Sequence, residues 1–263
     1  MARSLFEVER ERIVPTELAR GPWDPGALHG GPVAALLARA AEMVLPADGI
    51  ARQATRLTAE LLRPVPLAPL AVTSEVVRPG RKVTLVEASV HAGGATVARA
   101  VVLFIRTAEV PVPDGHQRAA PPPPPERAHP TQPWAPDEQA AFHNAGVEHA
   151  FVAGNLADLG PATDWIRLRV PVLPGEDPSP FQRAVAAADF GNGISRVFER
   201  GGHVFINPDL TVHLHRLPVG EWVALEATTH VEGHGIGLAE SALYDTQGRI
   251  GRAAQSLLID VTG

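Results

Sequence analysis

Hydrophobic and polar positions along the chain form two blocks, and each block begins with a helical pattern that gives way to strand-like runs. The first helical segment, 31–42, is rich in Ala and Leu and has Pro32 near its start. The second, 180–197, follows Ser179, a residue suited to capping a helix. The strand-like runs lie at 54–62, 70–77, 83–91 and 95–106, and at 204–215, 222–231, 235–244 and 249–261. The pattern therefore predicts a helix and four antiparallel strands in each half.

A proline-rich stretch separates the two blocks. Residues 121–125 are five consecutive prolines, and five more stand nearby at Pro111, Pro113, Pro130, Pro133 and Pro136. Because proline lacks the amide donor and fixes φ, this stretch can form neither a helix nor an inner strand, and an extended linker is expected. The sequence thus predicts a first domain over residues 1–110, a linker over 111–136 and a second domain over 137–263.

The two blocks also resemble each other at a constant spacing of 153 residues, the separation of Leu57 and Leu210. Without any gap, this spacing pairs ten identical residues between positions 57 and 106 and their partners, where about three are expected from ordinary residue usage. The excess favours a duplicated unit. The alternative is a coincidence between two Ala-rich β segments, and it stays open at this point.

Composition narrows the possible chemistry. The chain has 263 residues, 45% of them hydrophobic, which suffices for a sizeable core. Its formal net charge of -6, mixed in sign along the chain, argues against a nucleic-acid partner. With 0 cysteines, this sequence has no disulfide, thiolate metal site or cysteine nucleophile. No run is apolar enough to predict a membrane span or a signal peptide, so a cytoplasmic protein is expected. The abundance of Ala, Arg and Pro is typical of a GC-rich bacterial genome.

A helix followed by a four-strand meander is the plan of the hotdog fold, in which the sheet wraps the helix. Within this plan, several segments resemble the acyl-CoA thioesterase II (TesB-like) family in order and spacing. They are Ala-Ala-Asp-Phe-Gly-Asn-Gly at 187–193, the strand segment 207–216, Ala-Ala-Gln-Ser-Leu at 253–257, and, in the first half, 60–64 and 77–80. The resemblance implies an α+β fold, a tandem double hotdog that hydrolyses acyl-CoA and associates as a homodimer or higher homo-oligomer.

The family's catalytic trio corresponds to Asp189, Asn207 and Gln255. The resemblance implies that Asp189 orients the hydrolytic water and that no metal or cofactor is needed. Asn207 departs from the family, which usually has Thr or Ser there. An amide can still hold a water, because it both donates and accepts hydrogen bonds. Asp209, two positions further on, is a possible substitute partner.

A second group is expected near the substrate rather than at the reacting atoms. It consists of Trp23, His29, Gly30 and Gly31, where glycines at a helix start let the backbone approach a ligand. A tight loop entering the helix is the structural alternative, and the sequence does not separate the two.

The internal repeat adds an observation about the trio. The repeat places Val102 opposite Gln255, Ala54 opposite Asn207, and the region of Leu36 opposite Asp189. Buried polar groups cost free energy unless they are hydrogen-bonded. Because the polar groups occur in one copy alone, one interpretation is that one site works and the other has decayed. The alternative is that these groups only form hydrogen bonds with the nearby backbone.

Other readings stay open. His213 and His215 share a strand face and could suggest a metal pair, but polar positions on a half-exposed strand explain them better. A double-hotdog hydratase would need a His beside Asp189, and none is near it in the sequence. A protein that binds acyl thioesters without turnover, with Asn207 marking lost activity, is the third possibility.

Overall fold

The computed structural model describes residues 4–115, 119–130, 139–199 and 201–261. The helices are α1 (Gly30–Met43), α2 (Pro180–Ala188) and α3 (Gly191–Ile194). The strands of the first half are β1 (Phe6–Glu9), β2 (Arg12–Pro15), β3 (Arg52–Leu61), β4 (Ala71–Arg78), β5 (Val83–Ala92) and β6 (Ala95–Arg106). Those of the second are β7 (Val147–Ala153), β8 (Ala162–Leu168), β9 (His203–Ile206), β10 (Asp209–Leu214), β11 (Val223–Glu232), β12 (Ile236–Asp245) and β13 (Gly248–Val261).

One antiparallel sheet runs through both halves. Its strand order is β4-β5-β6-β3-β10-β13-β12-β11-β8-β7, and β9 pairs with the far end of β13. The halves join where β3 pairs with β10, and Thr58 lies directly opposite Thr211 at this seam. The helices pack on one face of the sheet, and residues of both halves, such as Leu37, Leu57 and Val212, share one buried cluster. This architecture confirms the predicted α+β double hotdog.

Strand pairing follows the spacing found in the sequence. Glu60 pairs with Arg99, and the residues 153 positions later, His213 and Arg252, pair with each other. The same correspondence holds between β4–β5 and β11–β12, and between β5–β6 and β12–β13. Since Thr58 and Thr211 are themselves 153 residues apart, a pseudo-twofold axis passes between them. Coincidence does not account for three strand pairs that share one register.

Two predicted elements, the helix 180–197 and the strand 204–215, are interrupted in the structure. Both interruptions lie next to candidate site residues. The predicted helix 180–197 stops at Ala188, because the glycines at 191 and 193 have low helix propensity, and only the short α3 follows. The predicted strand 204–215 is broken in two at Asn207-Pro208, since proline cannot donate to a ladder. The hairpins β1–β2 and β7–β8 were not predicted from the sequence.

The two long helices run antiparallel, so the start of α1 meets the end of α2. At one end of the pair, Glu42 accepts hydrogen bonds from Ser179 Oγ and Gln182 Nε2. Near the other end, the backbone of α1 comes so close to α2 that a Cβ on Gly31 would lie 2.6 Å from the carbonyl oxygen of Ala186. Small side chains permit this approach, and it brings Asp189 to the first turn of α1.

The predicted linker contains neither an α-helix nor a strand in its described residues, 111–115 and 119–130, apart from a 3₁₀ turn at Pro125–Arg127. It is held against the second half, because Trp165 Nε1 donates to the carbonyl oxygen of Pro123 at 2.7 Å. Residues 116–118 and 131–136, which include Pro133 and Pro136, lie outside the described residues. Among the helices that are described, none has the length and apolar character to cross a bilayer.

Candidate active site

Asp189 lies at the C-terminal cap of α2, and its carboxylate is the centre of a hydrogen-bonded group. Only 4% of the residue is exposed. A buried carboxylate needs hydrogen-bond donors, because leaving water costs it free energy. The structure supplies them from three separate parts of the chain.

The second half provides two amides, one from Asn207 in the break between β9 and β10 and one from Gln255 on β13. Asn207 Nδ2 donates to Asp189 Oδ1 at 2.9 Å, and Gln255 Nε2 donates to the same oxygen at 3.1 Å. The other end of the Gln255 amide accepts from the backbone N–H of Asn192 at 3.1 Å, which fixes the orientation of the side chain. The three residues of the trio therefore meet at one carboxylate oxygen.

The first half provides the partner of the other carboxylate oxygen. His29 Nδ1 lies 2.8 Å from Asp189 Oδ2, and it also lies 3.1 Å from the backbone nitrogen of Gly31. The absence of a side chain at Gly30 makes room for this contact, since a Cβ there would lie 2.7 Å from Asp189 Oδ2. The sequence placed His29 near the substrate, and it gave no signal that this residue touches Asp189.

Aromatic rings fix the His29 imidazole. Its centroid lies 4.7 Å from that of Phe190 and 5.1 Å from that of Phe142, and the two phenylalanine rings stack on each other at 5.4 Å. Packed rings of this kind hold a side chain in one rotamer. Neither phenylalanine was assigned a role from the sequence.

A cavity of about 390 Å³ opens onto this group. Trp23, His29, Gly30, Asp189 and Asn207 are among its lining residues. Trp23 is half exposed at the edge, where its ring meets Phe205 with centroids 4.6 Å apart. The rest of the wall is largely apolar and includes Val33, Leu61, Leu62, Val65, Phe190 and Ile206. A cavity with apolar walls and a few convergent polar groups is the usual form of a small-molecule site.

Two expected members do not take the places that the sequence suggested. Gly31 is packed between Ala186 and the Phe142 ring, where a Cβ would lie 2.8 Å from the ring, and it serves the contact between the helices rather than the cavity wall. Asp209 directs its carboxylate to β13 and accepts from the backbone N–H of Ser256 at 2.7 Å. Only its carbonyl oxygen reaches the group, as an acceptor for Asn207 Nδ2 at 3.2 Å.

The positions that the repeat relates to Gln255 and Asn207 are apolar and buried in the first half. Val102 corresponds to Gln255 and Ala54 to Asn207, and both are part of the core. The helix register differs from that of the strands: the caps His29 and Ser179 correspond, which puts Arg39 rather than Leu36 opposite Asp189. Arg39 binds Glu176 through two 2.6 Å hydrogen bonds. The polar trio thus exists in one half.

A second histidine–aspartate pair lies behind the site. His149 Nδ1 lies 2.5 Å from Asp164 Oδ2, and the His149 ring packs edge-on against Phe190 with centroids 5.1 Å apart. Neither residue lines the cavity just described. The sequence offered no signal for this pair, because its members stand on unpredicted strands.

No group of three or more metal-ligand side chains occurs in the described ranges of the chain. His213 is exposed on β10, and both it and His215 line an outer groove of the sheet rather than the cavity with Asp189.

Comparison with known proteins supports the assignment of the family. Residues 119–259 match the family model of the acyl-CoA thioesterase C-terminal domain, and residues 19–105 match that of the N-terminal domain. No curated protein matches the chain significantly in sequence.

Solved structures show the same fold at low identity. An acyl-CoA thioesterase II, TesB2, from Mycobacterium marinum is 19% identical, with a TM-score of 0.68 and 97% and 95% of the two chains covered. A hotdog-fold protein of unknown function from Alicyclobacillus acidocaldarius is 15% identical, with a TM-score of 0.71 and 98% and 96% covered. The TesB protein of Mycobacterium avium subs. paratuberculosis is 15% identical, with a TM-score of 0.67 and 96% and 94% covered. With both halves matched by the family models, the chain belongs to the acyl-CoA thioesterase family and is a thioester hydrolase.

Proposed function

We propose that this enzyme hydrolyses acyl-CoA to a free carboxylic acid and CoA by means of a water that Asp189 activates. The observation that carries the proposal is the arrangement around the Asp189 carboxylate at the cavity wall, with two amides on Oδ1 and an imidazole on Oδ2. A thioester is electrophilic already, so a positioned base suffices and no nucleophilic side chain is required.

In the proposed reaction, Asp189 takes a proton from the water while the water oxygen attacks the thioester carbonyl carbon. Gln255 holds the carboxylate, and Asn207, which lines the cavity, holds both the carboxylate and the water. Backbone amides at the start of α1 stabilise the oxyanion, since Gly30 leaves the backbone accessible from the cavity. The tetrahedral intermediate then collapses, the C–S bond breaks, and the proton held by Asp189 passes to the thiolate of CoA.

His29 is suited to both protonation states of Asp189. A ring nitrogen either donates or accepts, so the two contacts of Nδ1 belong to different states. With the carboxylate ionised, Nδ1–H donates to Oδ2. After the proton transfer, Nδ1 accepts a single hydrogen bond, either from Oδ2–H or from the Gly31 amide. We therefore propose that His29 positions the base before and after it takes the proton.

The same pair gives a specific reason to test a second reaction. In sequence, no histidine is near Asp189, and this counted against a hydratase acting on enoyl thioesters. In space, His29 lies 2.8 Å from Asp189, so this objection no longer holds. The family and the amide partners favour hydrolysis, and hydration of an enoyl-CoA is the alternative outcome of the assay.

The duplicated sheet also suggests how the chain is divided. We propose that residues 1–110 and 137–263 are the two hotdog units and that 111–136 link them, with the working site assembled from both. His29 and Gly30 come from one unit, and the trio comes from the other.

The test is CoA release from short, medium, long and aromatic acyl-CoAs, measured with a thiol reagent, to which a cysteine-free chain adds no background. Asp189→Asn should lower kcat by about 10²–10⁴ fold, the usual contribution of a general base. It should leave the fold intact, because an amide at 189 can accept from Asn207 and Gln255 and donate to His29.

Arg78→Gln, at the exposed end of β4, is the matched control and should retain wild-type turnover. Turnover unaffected by Asp189→Asn would refute the role of the trio. Saturable binding of acyl-CoA without turnover by the wild type would favour the acyl-binding alternative.

A further inference from the structure

A second, open groove of about 820 Å³ lies on the sheet face that points away from the helices. It follows the seam between β3 and β10, where His213 is exposed while its neighbours Val212 and Leu214 are buried. The charged or titratable side chains that line it are all basic: Arg56, Arg106, Arg249, Arg252, His213 and His215. Among the described residues that line this groove there is no aspartate or glutamate.

The groove overlaps the pseudo-symmetric counterpart of the candidate active site. The active-site cavity lies on one side of the Thr58–Thr211 axis, and the groove lies on the other. Four lining positions of the groove correspond to lining positions of the cavity at the 153-residue spacing: Gln53 to Ile206, Thr55 to Pro208, Leu214 to Leu61 and His215 to Leu62. The groove therefore lies beside the pseudo-symmetric position that lacks the polar trio, and its basic residues come from both halves of the chain.

These arginines are not neutralised by the fold. In the described part of the chain, none of the four forms an ion pair with a carboxylate, although Arg99, the repeat partner of Arg252, binds Glu60 at 2.5 Å. Arg56 Nε is buried and has no hydrogen-bond partner among the described residues. The pKa of His213 is lowered by partial burial and by the charges of Arg252 and Arg56. Arg249 and Arg252 also border a depression with Glu226 and Glu240, but no ion pair joins these carboxylates to the arginines among the described residues, so the groove presents an excess of positive charge to an anion.

We propose that this groove binds a small phosphorylated anion with at least two phosphate groups, such as a nucleoside bisphosphate or pyrophosphate. Guanidinium groups bind phosphate oxygens in pairs, and four of them match an anion of several charges better than a single carboxylate. A nucleic acid fits less well, because Glu226 and Glu240 line the adjoining depression and would repel a longer polyanion.

Isothermal titration calorimetry with adenosine 3′,5′-bisphosphate and with pyrophosphate tests the proposal, and comparison of the two probes shows whether the nucleoside contributes. We expect one saturable site whose affinity falls as salt rises. The double variant Arg56→Gln/Arg252→Gln should weaken binding on the order of 100-fold, since each charge-assisted hydrogen bond contributes about tenfold or more. Arg99→Gln, at the repeat-related position, should leave it unchanged.

Several outcomes would overturn the proposal: no saturable binding of either probe at low salt, equal affinity in the double variant, or equal weakening by Arg99→Gln. Binding of an RNA oligonucleotide without binding of either small probe would also contradict it. If the double variant fails to fold by circular dichroism, Arg106→Gln and Arg252→Gln carry the same test singly. Because binding is measured without turnover, the result is independent of the proposed hydrolysis.

Discussion

Two histidine–aspartate pairs lie against the same aromatic ring, and their surroundings differ. The Phe190 ring has His29 at 4.7 Å and His149 at 5.1 Å, measured between centroids. In each pair a ring Nδ1 approaches a carboxylate Oδ2, at 2.8 Å for His29–Asp189 and at 2.5 Å for His149–Asp164. The cavity reaches the first pair. The second, called the enclosed pair below, lies on β7 and β8 away from the cavity, with Asp164 fully buried and the His149 side chain 9% exposed.

The enclosed pair retains a proton. His149 Nε2 faces the carbonyl oxygen of His143 at 3.0 Å, and Nδ1 faces the Asp164 carboxylate, so both contacts require hydrogen in the pair. Burial alone would lower the pKa of His149, but the charge and hydrogen bond of Asp164 outweigh it and raise the pKa above its ordinary value. Burial also raises the pKa of Asp164, against the opposing effect of His149. Both ring nitrogens of His149 and both carboxylate oxygens of Asp164 thus have hydrogen-bonding contacts within the fold.

The cavity-lining pair is arranged differently at the carboxylate. Asp189 Oδ1 accepts from two side-chain amides, those of Asn207 and Gln255, whereas Asp164 Oδ1 accepts from the backbone N–H of Ala150 at 3.0 Å. The Asn207 amide lines the cavity, whereas the Ala150 amide lies within the buried part of β7. The same two residue types therefore border a cavity in one place, where we propose that they serve catalysis, and lie away from the cavity in the other.

The largest expected effect is on the enclosed pair. Asp164→Leu leaves His149 Nδ1 and the Ala150 amide without partners inside the core, and it should lower the free energy of unfolding by about 3–5 kcal/mol. Urea unfolding followed by circular dichroism measures this loss. Asp164→Asn keeps an acceptor for Ala150 and a donor for His149, so it should recover most of the stability. Equal losses in both variants would contradict the hydrogen-bond account.

A second prediction concerns the approach of α1 to Asp189. Gly30→Ala places a Cβ within 3 Å of the carboxylate, which must shift away from the water position. Displacement of a catalytic group by about 1 Å can cost on the order of 10²-fold in kcat. Steady-state CoA release measures the effect. Gly233→Ala is the control, because its Cβ would meet nothing within 4 Å, and wild-type rates in both variants would show that the close approach is irrelevant.

The departure of Asn207 from the family allows a smaller, graded test. Asn207→Leu removes one donor from Asp189 Oδ1 but leaves Gln255 in place, and kcat should fall about tenfold, as expected for one hydrogen bond to a charged group. Asn207→Thr restores a hydroxyl donor and should stay within about threefold of wild type. Measured kcat and KM values for the two variants show whether a hydroxyl donor can replace the Asn207 amide. Equal losses would mean that the amide itself is required.

The fold could be predicted largely from the sequence, because the repeat spacing of Leu57 and Leu210 carries the strand register and proline marks the boundaries. The trio could be placed from the resemblance and from polar groups in buried positions, such as Gln255 on a strand between Ala253 and Leu257. Both predictions, of the fold and of the trio, rest on the positions of residues along the sequence.

What could not be predicted depends on contacts between distant segments. His29 and Asp189 are brought together only by the antiparallel packing of α1 and α2, and His149 and Asp164 only by the hairpin β7–β8. The basic groove assembles arginines from β3, β6 and β13, whose charges in sequence look like ordinary exposed positions. A side chain's spacing along the chain does not reveal its partner across a seam.

The last and smallest prediction is a pH dependence of stability that belongs to the enclosed pair alone. The pKa of His149 is raised in the folded state. The stability that its protonation contributes is therefore fully present below the unfolded pKa of 6.5, and it is lost as the pH rises through the folded-state pKa. The raised pKa of Asp164 acts in the same direction, since the folded pair holds a proton that the unfolded chain releases. The free energy of unfolding should therefore fall as the pH rises above 6.5. Urea titrations across this range measure the slope, and Asp164→Asn should flatten it, because an amide cannot hold the imidazolium. A slope that persists unchanged in the variant would assign the titration to other histidines and remove the distinction between the two pairs.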